Sequence, residues 1–528
     1  MKNLIEIESA IHTVLLRLGK VMIGLTFCAP FLLGQVSRAS TVSWLANPVD
    51  NNWNNPANWS TGRVPISSDE VRLGASAIRD LTIPEPAGVF DLVFEADAEA
   101  YTITAQPGAS LGFSSNLINE STFEQNFIAA SDGTEPAFFG CTGSSDNNDG
   151  TITGPITFTQ QAGNGGSGLQ TIFQFVFYDA GDATIHNLGA SVAGGSGGLT
   201  TFFYTGTSAA NSTIINDGAT AAGATGGQTE FDITSPDAGN ATLIAYGGTN
   251  GGGGGNVRLN DASLGGTARV EVFGNGYLDI SGHSLSKDGT VTVGSIEGDG
   301  QIYLGKLVLV VGSNSLSTTF SGVLHPAGPD GGGGGGALSK TGTGTLSLTG
   351  ANLYVNGTTV TQGVLRVSNT AGSGTGTGPL NVNAGTLGGS GIIAGAVTVG
   401  TGSGPGAFLT PGIGTNKQLT LIIQSPVTFN SDAAYTYTFK GNKNRMRTDL
   451  VIANGVTING GTIAISSSSQ NRMRRGTVLT VISNTSANAI SGAFSNLPDG
   501  AIVTVNGNNL QASYEGGDGN DLTLTVVP

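Results

Sequence analysis

Ala183-Thr184-Ile185, Ser212-Thr213-Ile214 and Ala241-Thr242-Leu243 repeat one step at intervals of 29 residues, and Phe173, Phe202 and Phe231 recur at the same interval. Each copy reads as a Thr-rich strand, a polar turn, a second short strand and a Gly-rich turn. A fixed period of this length, in a chain with almost no helix-forming stretch, marks a solenoid. One such unit cannot bury its apolar face alone, so the copies must stack. The fold class expected is all-β.

Composition agrees. Charged residues make up 11% of the 528 positions, while Gly alone supplies 86. Thr is β-branched and favours strands; Asn and Gly tolerate the positive φ of tight turns. The formal charge is −15, and no Lys or Arg occurs between Arg79 and Arg258. Such a surface repels nucleic acid and anionic lipid, which need clustered cations, so neither is expected as a partner.

The first 39 residues read as a secretion signal. Arg17 and Lys20 precede an apolar run from Val21 to Leu33, and Ser37-Arg38-Ala39 offers a small-x-small cleavage site. Pro30 interrupts that run, and a bilayer span needs about 20 apolar residues; no membrane span is expected in the mature chain. Phe27 before Cys28 is a poor context for a lipidated cysteine. Without Cys28, Cys141 stands alone, which excludes an intramolecular disulfide and a cysteine-based zinc site.

Residues 40–105 hold all three tryptophans, Trp44, Trp53 and Trp59. They are expected to form an N-terminal β cap that closes the open end of the solenoid; an aromatic platform for sugar rings is the alternative. Residues 106–336 carry the 29-residue repeats. Their glycine runs, Gly251–Gly255 and Gly331–Gly336, read as flexible loops leaving one corner of the coil. Neither run has the Lys-Ser/Thr or following helix of a phosphate loop.

Residues 337–425 carry a tighter repeat. Leu338-Ser-Lys-Thr-Gly-Thr-Gly-Thr-Leu-Ser-Leu-Thr-Gly350 leads to Gly357-Thr-Thr-Val-Thr-Gln-Gly-Val-Leu-Arg-Val367, and Pro379–Leu387 and Ala396–Val399 echo it with Leu, Val and Ile inward. The Lys340–Gly350 stretch and the following Gly-Val-Leu-Arg-Val resemble the autotransporter-associated β-strand repeat, well over 289–410 and loosely over 40–528. The resemblance implies a right-handed parallel β-helix (β-solenoid), exported to the cell exterior, with surface or adhesive roles. The chain departs from that family in reaching Pro528 without a segment for the terminal β-barrel, so export by a general secretory route is expected.

Residues 426–528 read as a C-terminal β cap. Lys440, Lys443, Arg445, Arg447, Arg472, Arg474 and Arg475 cluster there. They read as a solvated rim, or, through Arg472, Arg474 and Arg475, as a contact for anionic envelope glycan. Gly516-Gly-Asp-Gly-Asn-Asp521 fits the calcium-binding nonapeptide, with Asp518 and Asp521 as the ligands. That motif holds its ion between two stacked copies, and a single copy reads as a turn.

Catalysis is not expected, and no cofactor. Asp146 with Asp149, or Asp179 with Asp182, would be the carboxylate pairs of a glycosidase, yet both pairs sit in turn-like sequence. His186, His283 and His325 have no spacing that unites them and read as solvated turn residues. The reading is an exported, non-enzymatic structural or adhesion protein whose partners are cell-envelope or extracellular glycans or further copies of itself. A carbohydrate-binding or polysaccharide-cleaving β-helix, a lyase or glycosidase, is the alternative. It would be favoured by aromatics and paired carboxylates on one solenoid face.

Overall fold

The computed structural model describes residues 40–528 apart from 134, 143–149, 165–169, 285–287, 330, 332–333, 416, 443–444 and 468–471. The leader, Asp146, Asp149 and Lys443 lie outside the described residues. Two compact units meet at Leu264 and Gly265, and each is a parallel β-helix.

In the first unit every coil visits three sheets in turn. Strands such as Asp91–Phe94, Leu117–Asn119 and Gly150–Thr153 build the first. The second contains Gln125–Ala129, Ile156–Gln160, Thr184–Asn187, Thr213–Asn216 and Thr242–Ala245. The third contains Phe138–Thr142, Ile172–Val176, Leu199–Phe203, Gln228–Asp232 and Asn256–Leu259. Successive strands pair in parallel, so each backbone amide and carbonyl is satisfied by the coil above or below. Thr184, Thr213 and Thr242 lie in one register row and Ile185, Ile214 and Leu243 in the next, outward and inward respectively. The 29-residue step is therefore one turn of the coil.

The phenylalanine spacing needs a correction. Phe202 pairs in register with Phe175, and Phe173 with Thr200. Phe175, Phe202 and Phe231 form the stack, with centroids 4.6 Å apart at both steps and ring planes 1° and 8° apart. Phe175 precedes Ile185 by ten residues, whereas Phe202 precedes Ile214 by twelve. One turn is two residues shorter, and equal spacing from Phe173 to Phe202 is not equivalence. The residue after three of these strands, Ile172–Val176, Leu199–Phe203 and Gln228–Asp232, has positive φ: Phe177 at 52°, Tyr204 at 73° and Ile233 at 60°. Each is a conformation that costs a side-chain-bearing residue about 1–3 kcal/mol.

The Gly251–Gly255 run is not a flexible loop. Loops between the second and third sheets leave through closed necks, where Gly198, Gly227 and Gly255 donate to Leu188, Asp217 and Tyr246 carbonyls. Outside the necks the loops stack backbone on backbone: Thr220 donates to Ala190, Thr249 to Ala219 and Gly253 to Ala224. Ala162, Ala190, Ala219 and Ala224 form a small core of their own there. Glycine is required for closeness. A Cβ on Gly226 would come within 2.5 Å of the Gly254 carbonyl.

The second unit repeats the three-sheet plan with coils of uneven length, as in the register steps from Thr290 to Val308, Leu380 to Val397 and Val397 to Val427. One sheet runs through Thr290–Val293, Val308–Val311, Ala337–Lys340, Thr358–Val360 and on to Ser491–Ala493. The parallel ladder thus continues inside the segment read as a terminal cap. Antiparallel strand pairing begins where Phe439 faces Thr448 and Lys440 faces Arg447. It closes the unit through Val478–Asn484, Asp521–Val527, Asn508–Gly516 and Ile502–Val505.

Candidate functional site

Trp44, Trp53 and Trp59 are buried against one another. Trp59 meets Trp44 and Trp53 edge-on, at 5.0 Å and 4.8 Å between centroids. Their polar ends point inward: Trp59 Nε1 donates to the Trp53 carbonyl at 2.7 Å and Trp44 Nε1 to Ile78 at 3.1 Å. No indole leaves an open face for a sugar ring. In the same segment Arg63 clamps Asp69 through both guanidinium nitrogens at 2.6 and 2.9 Å, and Ser40 Oγ donates to the same carboxylate at 2.7 Å. Burial pushes the Asp69 carboxyl up. The Arg63, Ile66 and Ser40 hydrogen bonds outweigh that and hold it below its ordinary value.

Asp518 and Asp521 occupy a hairpin. Gly516 pairs with Asp521 across antiparallel strands, and Gly517 and Gly519 turn the chain with positive φ. Asp518 is exposed, and Asp521 Oδ1 accepts from the Asn484 amide at 2.8 Å. The parallel stacking of two copies on which the nonapeptide depends is not the geometry here. Among the described residues, no three His, Cys, Asp or Glu side chains gather as metal ligands. Arg472, Arg474 and Arg475 are all exposed on the segment entering Val478–Asn484, and Lys440 and Arg447 are exposed on the neighbouring hairpin.

Asp179 and Asp182 serve the coil. Asp179 caps Gly181 at 2.7 Å, and Asp182 accepts from Asn211 one coil on at 3.2 Å. The histidine reading is corrected. His186 lies on a strand with Nε2 2.7 Å from Asp217. His325 also lies on a strand, stacked on Tyr303 at 4.8 Å, with Nε2 2.7 Å from Gln301 Oε1. Burial lowers the pKa of His325. His283 is buried.

Residues 338–367 match the family model of the Passenger-associated-transport-repeat. A stretch of 123 residues, 21% of this chain, is 38% identical to Adhesin BmaC autotransporter of Brucella suis biovar 1 (strain 1330) and covers 3% of that protein. The chain therefore matches only a small part of that relative's length. The chain is autotransporter-passenger-like.

The matched repeat spans one step of the ladder. Ala337–Lys340 pairs with Thr358–Val360, and Thr345–Leu348 with Val364–Val367. Its Lys340 is buried, and Nζ donates to the carbonyls of Thr341, of Gly342 at 2.8 Å and of Gln362 at 3.3 Å. Gly342 has φ 63°, and a Cβ there would overlap the Gly312 carbonyl. The Lys-Thr-Gly sequence is thus a turn whose carbonyls are gathered by the lysine that precedes it. Burial brings the Lys340 pKa down to about 8.

Sequence reasoning missed the outward row of the third sheet in the first unit: Gln174, Thr201 and Glu230. Each is nearly buried although it points away from the core. The available signal was position, since each directly precedes a phenylalanine of the Phe175–Phe202–Phe231 stack.

Proposed function

We propose that this chain is a surface adhesion passenger. It presents stacked coils whose outer side chains make low-affinity, multiple contacts with an opposing surface, with no chemistry performed on that surface. The observation that carries the reading is the match of residues 338–367 to a transport-repeat family of passengers, set within continuous parallel β-helix. The adhesin relative, 38% identical over 123 residues, supports the same role. So does the outer row Thr157, Thr184, Thr213 and Thr242, an uncharged and half-exposed line on one face.

Extracellular or surface placement follows from this reading, as does a partner among envelope glycans, matrix or further copies of the chain. The basic segment at Arg472, Arg474 and Arg475 is the face suited to an anionic partner. Beads coated with the purified chain should be retained under flow on cell layers or isolated envelopes, in proportion to coating density. Retention equal to that of uncoated beads would overturn the reading.

A further inference from the structure

Lys440 and Arg447 are directly opposed across the antiparallel pair of the second unit. Opposed residues of such a pair share one side of the sheet, and like charges there are destabilising. Both are exposed, whereas Phe439 before Lys440 is buried, so alternation turns the two cations outward. The one carboxylate in the sequence between Lys440 and Arg475 is Asp449. It is buried and accepts from the Leu419 and Thr438 amides at 2.8 and 3.1 Å.

A second set of cations adjoins the first through the backbone. Phe439 pairs in parallel with Ser467, whose carbonyl accepts from Asn506 Nδ2 at 3.0 Å. The Arg472 guanidinium lies over the next residue, Gly507, where a Cβ would sit 3.7 Å from one of its nitrogens. The segment carrying Arg472, Arg474 and Arg475 is tied down along its length. The Met473 amide donates to Asn508 Oδ1 at 2.7 Å, and the Gly476 amide donates to the Val526 carbonyl at 2.9 Å. All three arginines are exposed. Among the described residues, none of these five cations forms an ion pair. Five unpaired cations thus stand on adjoining, fixed backbone in a chain of net charge −15.

We propose that Lys440, Arg447, Arg472, Arg474 and Arg475 form a strip that binds a linear polysaccharide bearing carboxylate or sulfate groups. Each arginine presents a planar fork to such an oxyanion, and Lys440 supplies a point charge beside them. The shape of the partner follows from charge. A membrane would bring a broad anionic plane against a molecule that is itself acidic, whereas a single extended chain meets the strip alone. Single-stranded nucleic acid is held by base stacking on aromatic rings as well as by cations. The rings on the strands concerned, Tyr435, Tyr437, Phe439 and Tyr514, are all buried, which favours sugar over nucleic acid. The proposal rests on the adhesive reading above and names the partner of its basic segment.

The test measures binding of the purified chain to alginate, dextran sulfate, neutral dextran, oligothymidylate and phosphatidylserine vesicles by calorimetry. Saturable binding to alginate or to dextran sulfate is expected, weakening as salt is added, with none to neutral dextran. Which of the two binds tells carboxylate from sulfate recognition. Changing Arg472, Arg474 and Arg475 together to Gln should weaken binding at least about tenfold, and so should Lys440→Gln combined with Arg447→Gln. Arg447→Glu separates binding from folding. It sets opposite charges across the strand pair, so Tm should rise while affinity falls. A higher Tm with unchanged affinity would make the pair a solvated rim and overturn the proposal. So would no binding to either acidic polysaccharide, or equally tight binding to oligothymidylate or the vesicles. If coated beads were still retained on cells in those cases, the adhesive reading would survive the loss of this one.

Discussion

Asn187 Nδ2 donates to Asn216 Oδ1 at 2.9 Å from the equivalent position one coil earlier. Both side chains lie inside the coil. Thr200 and Thr229 donate to the two amide oxygens at 2.8 and 2.9 Å, and Asn216 passes its own amide to the Ile244 carbonyl at 3.2 Å. The network is closed on itself and ties three coils together. Asn216→Ala would leave the Asn187 amide, the Thr229 hydroxyl and the Ile244 carbonyl buried with a partner lost, a cost of about 2–3 kcal/mol. The preceding position in register is Gln160, fully buried with neither amide atom bonded. Gln160→Met should therefore raise stability while Asn216→Ala lowers it. Urea denaturation midpoints check both, and a fall of similar size in both variants would contradict this account of the row.

How far the sequence could be read depends on which side of the strand a residue occupies. Thr184, Thr213 and Thr242 were legible because the turns between them keep one length, and repetition exposes register directly. Phe173 misled because a turn two residues shorter shifts the ladder without altering the spacing of the phenylalanines counted. The Gly251–Gly255 run looked flexible because composition records conformational freedom and not the backbone contact that demands it. The burial of Gln174 and Thr201 was not legible. An outward polar residue in a strand has the same pattern whether it meets water or is covered by neighbouring chain. The clustering of Arg472, Arg474 and Arg475 was readable because it needs no tertiary information.

Lys340 makes the second unit pH-dependent. Its folded pKa is about 8 against an ordinary 10.5, the result of burial. Between those values the unfolded chain holds a proton that the folded chain has released, so stability rises with pH across that window. Below about pH 8 the cost of burying the ammonium is present in full. Lys340→Met should remove this rise while leaving the Thr341, Gly342 and Gln362 carbonyls without their donor, so the variant is less stable overall yet flat above pH 8. Melting curves across that range read it out, and an identical rise in the variant would assign the dependence elsewhere.

The N-terminal segment around Asp69 should fail from the acid side. Asp69 is held below its ordinary 3.8, so its stabilisation is complete above that value and disappears as pH falls through the lower folded one. Arg63→Ala leaves a buried carboxylate with its principal partner gone. This segment should then loosen at higher pH than in the parent. Trp44, Trp53 and Trp59, all buried in the same N-terminal segment, supply the signal. A tryptophan emission transition at unchanged pH in Arg63→Ala would show that the ion pair does not hold the segment.

Chelation is expected to leave the C-terminal hairpin intact. Asp521 is engaged by the Asn484 amide, and an antiparallel turn does not stack a second Gly-Gly-x-Gly-x-Asp copy against the first. Tm should be equal in EDTA and in excess calcium. A calcium-dependent rise abolished by Asp518→Asn would reinstate a cation between Asp518 and Asp521.

The glycine loops offer a contrast between two residues three positions apart. Gly226 has no room for a Cβ, which would fall 2.5 Å from the Gly254 carbonyl and the Gly255 amide nitrogen. Gly223 has open space around it and φ 74°. Alanine at Gly223 therefore pays only the left-handed conformation, about 1 kcal/mol. Alanine at Gly226 must push one backbone off another, a cost of about 2 kcal/mol or more. The loops bond coil to coil through Thr220, Thr249 and Gly253, so the damage should spread along the stack. Hydrogen exchange at those three amides should quicken in Gly226→Ala and stay slow in Gly223→Ala. Equal protection in the two variants would mean that the loops are held by their necks alone, with the backbone stacking incidental.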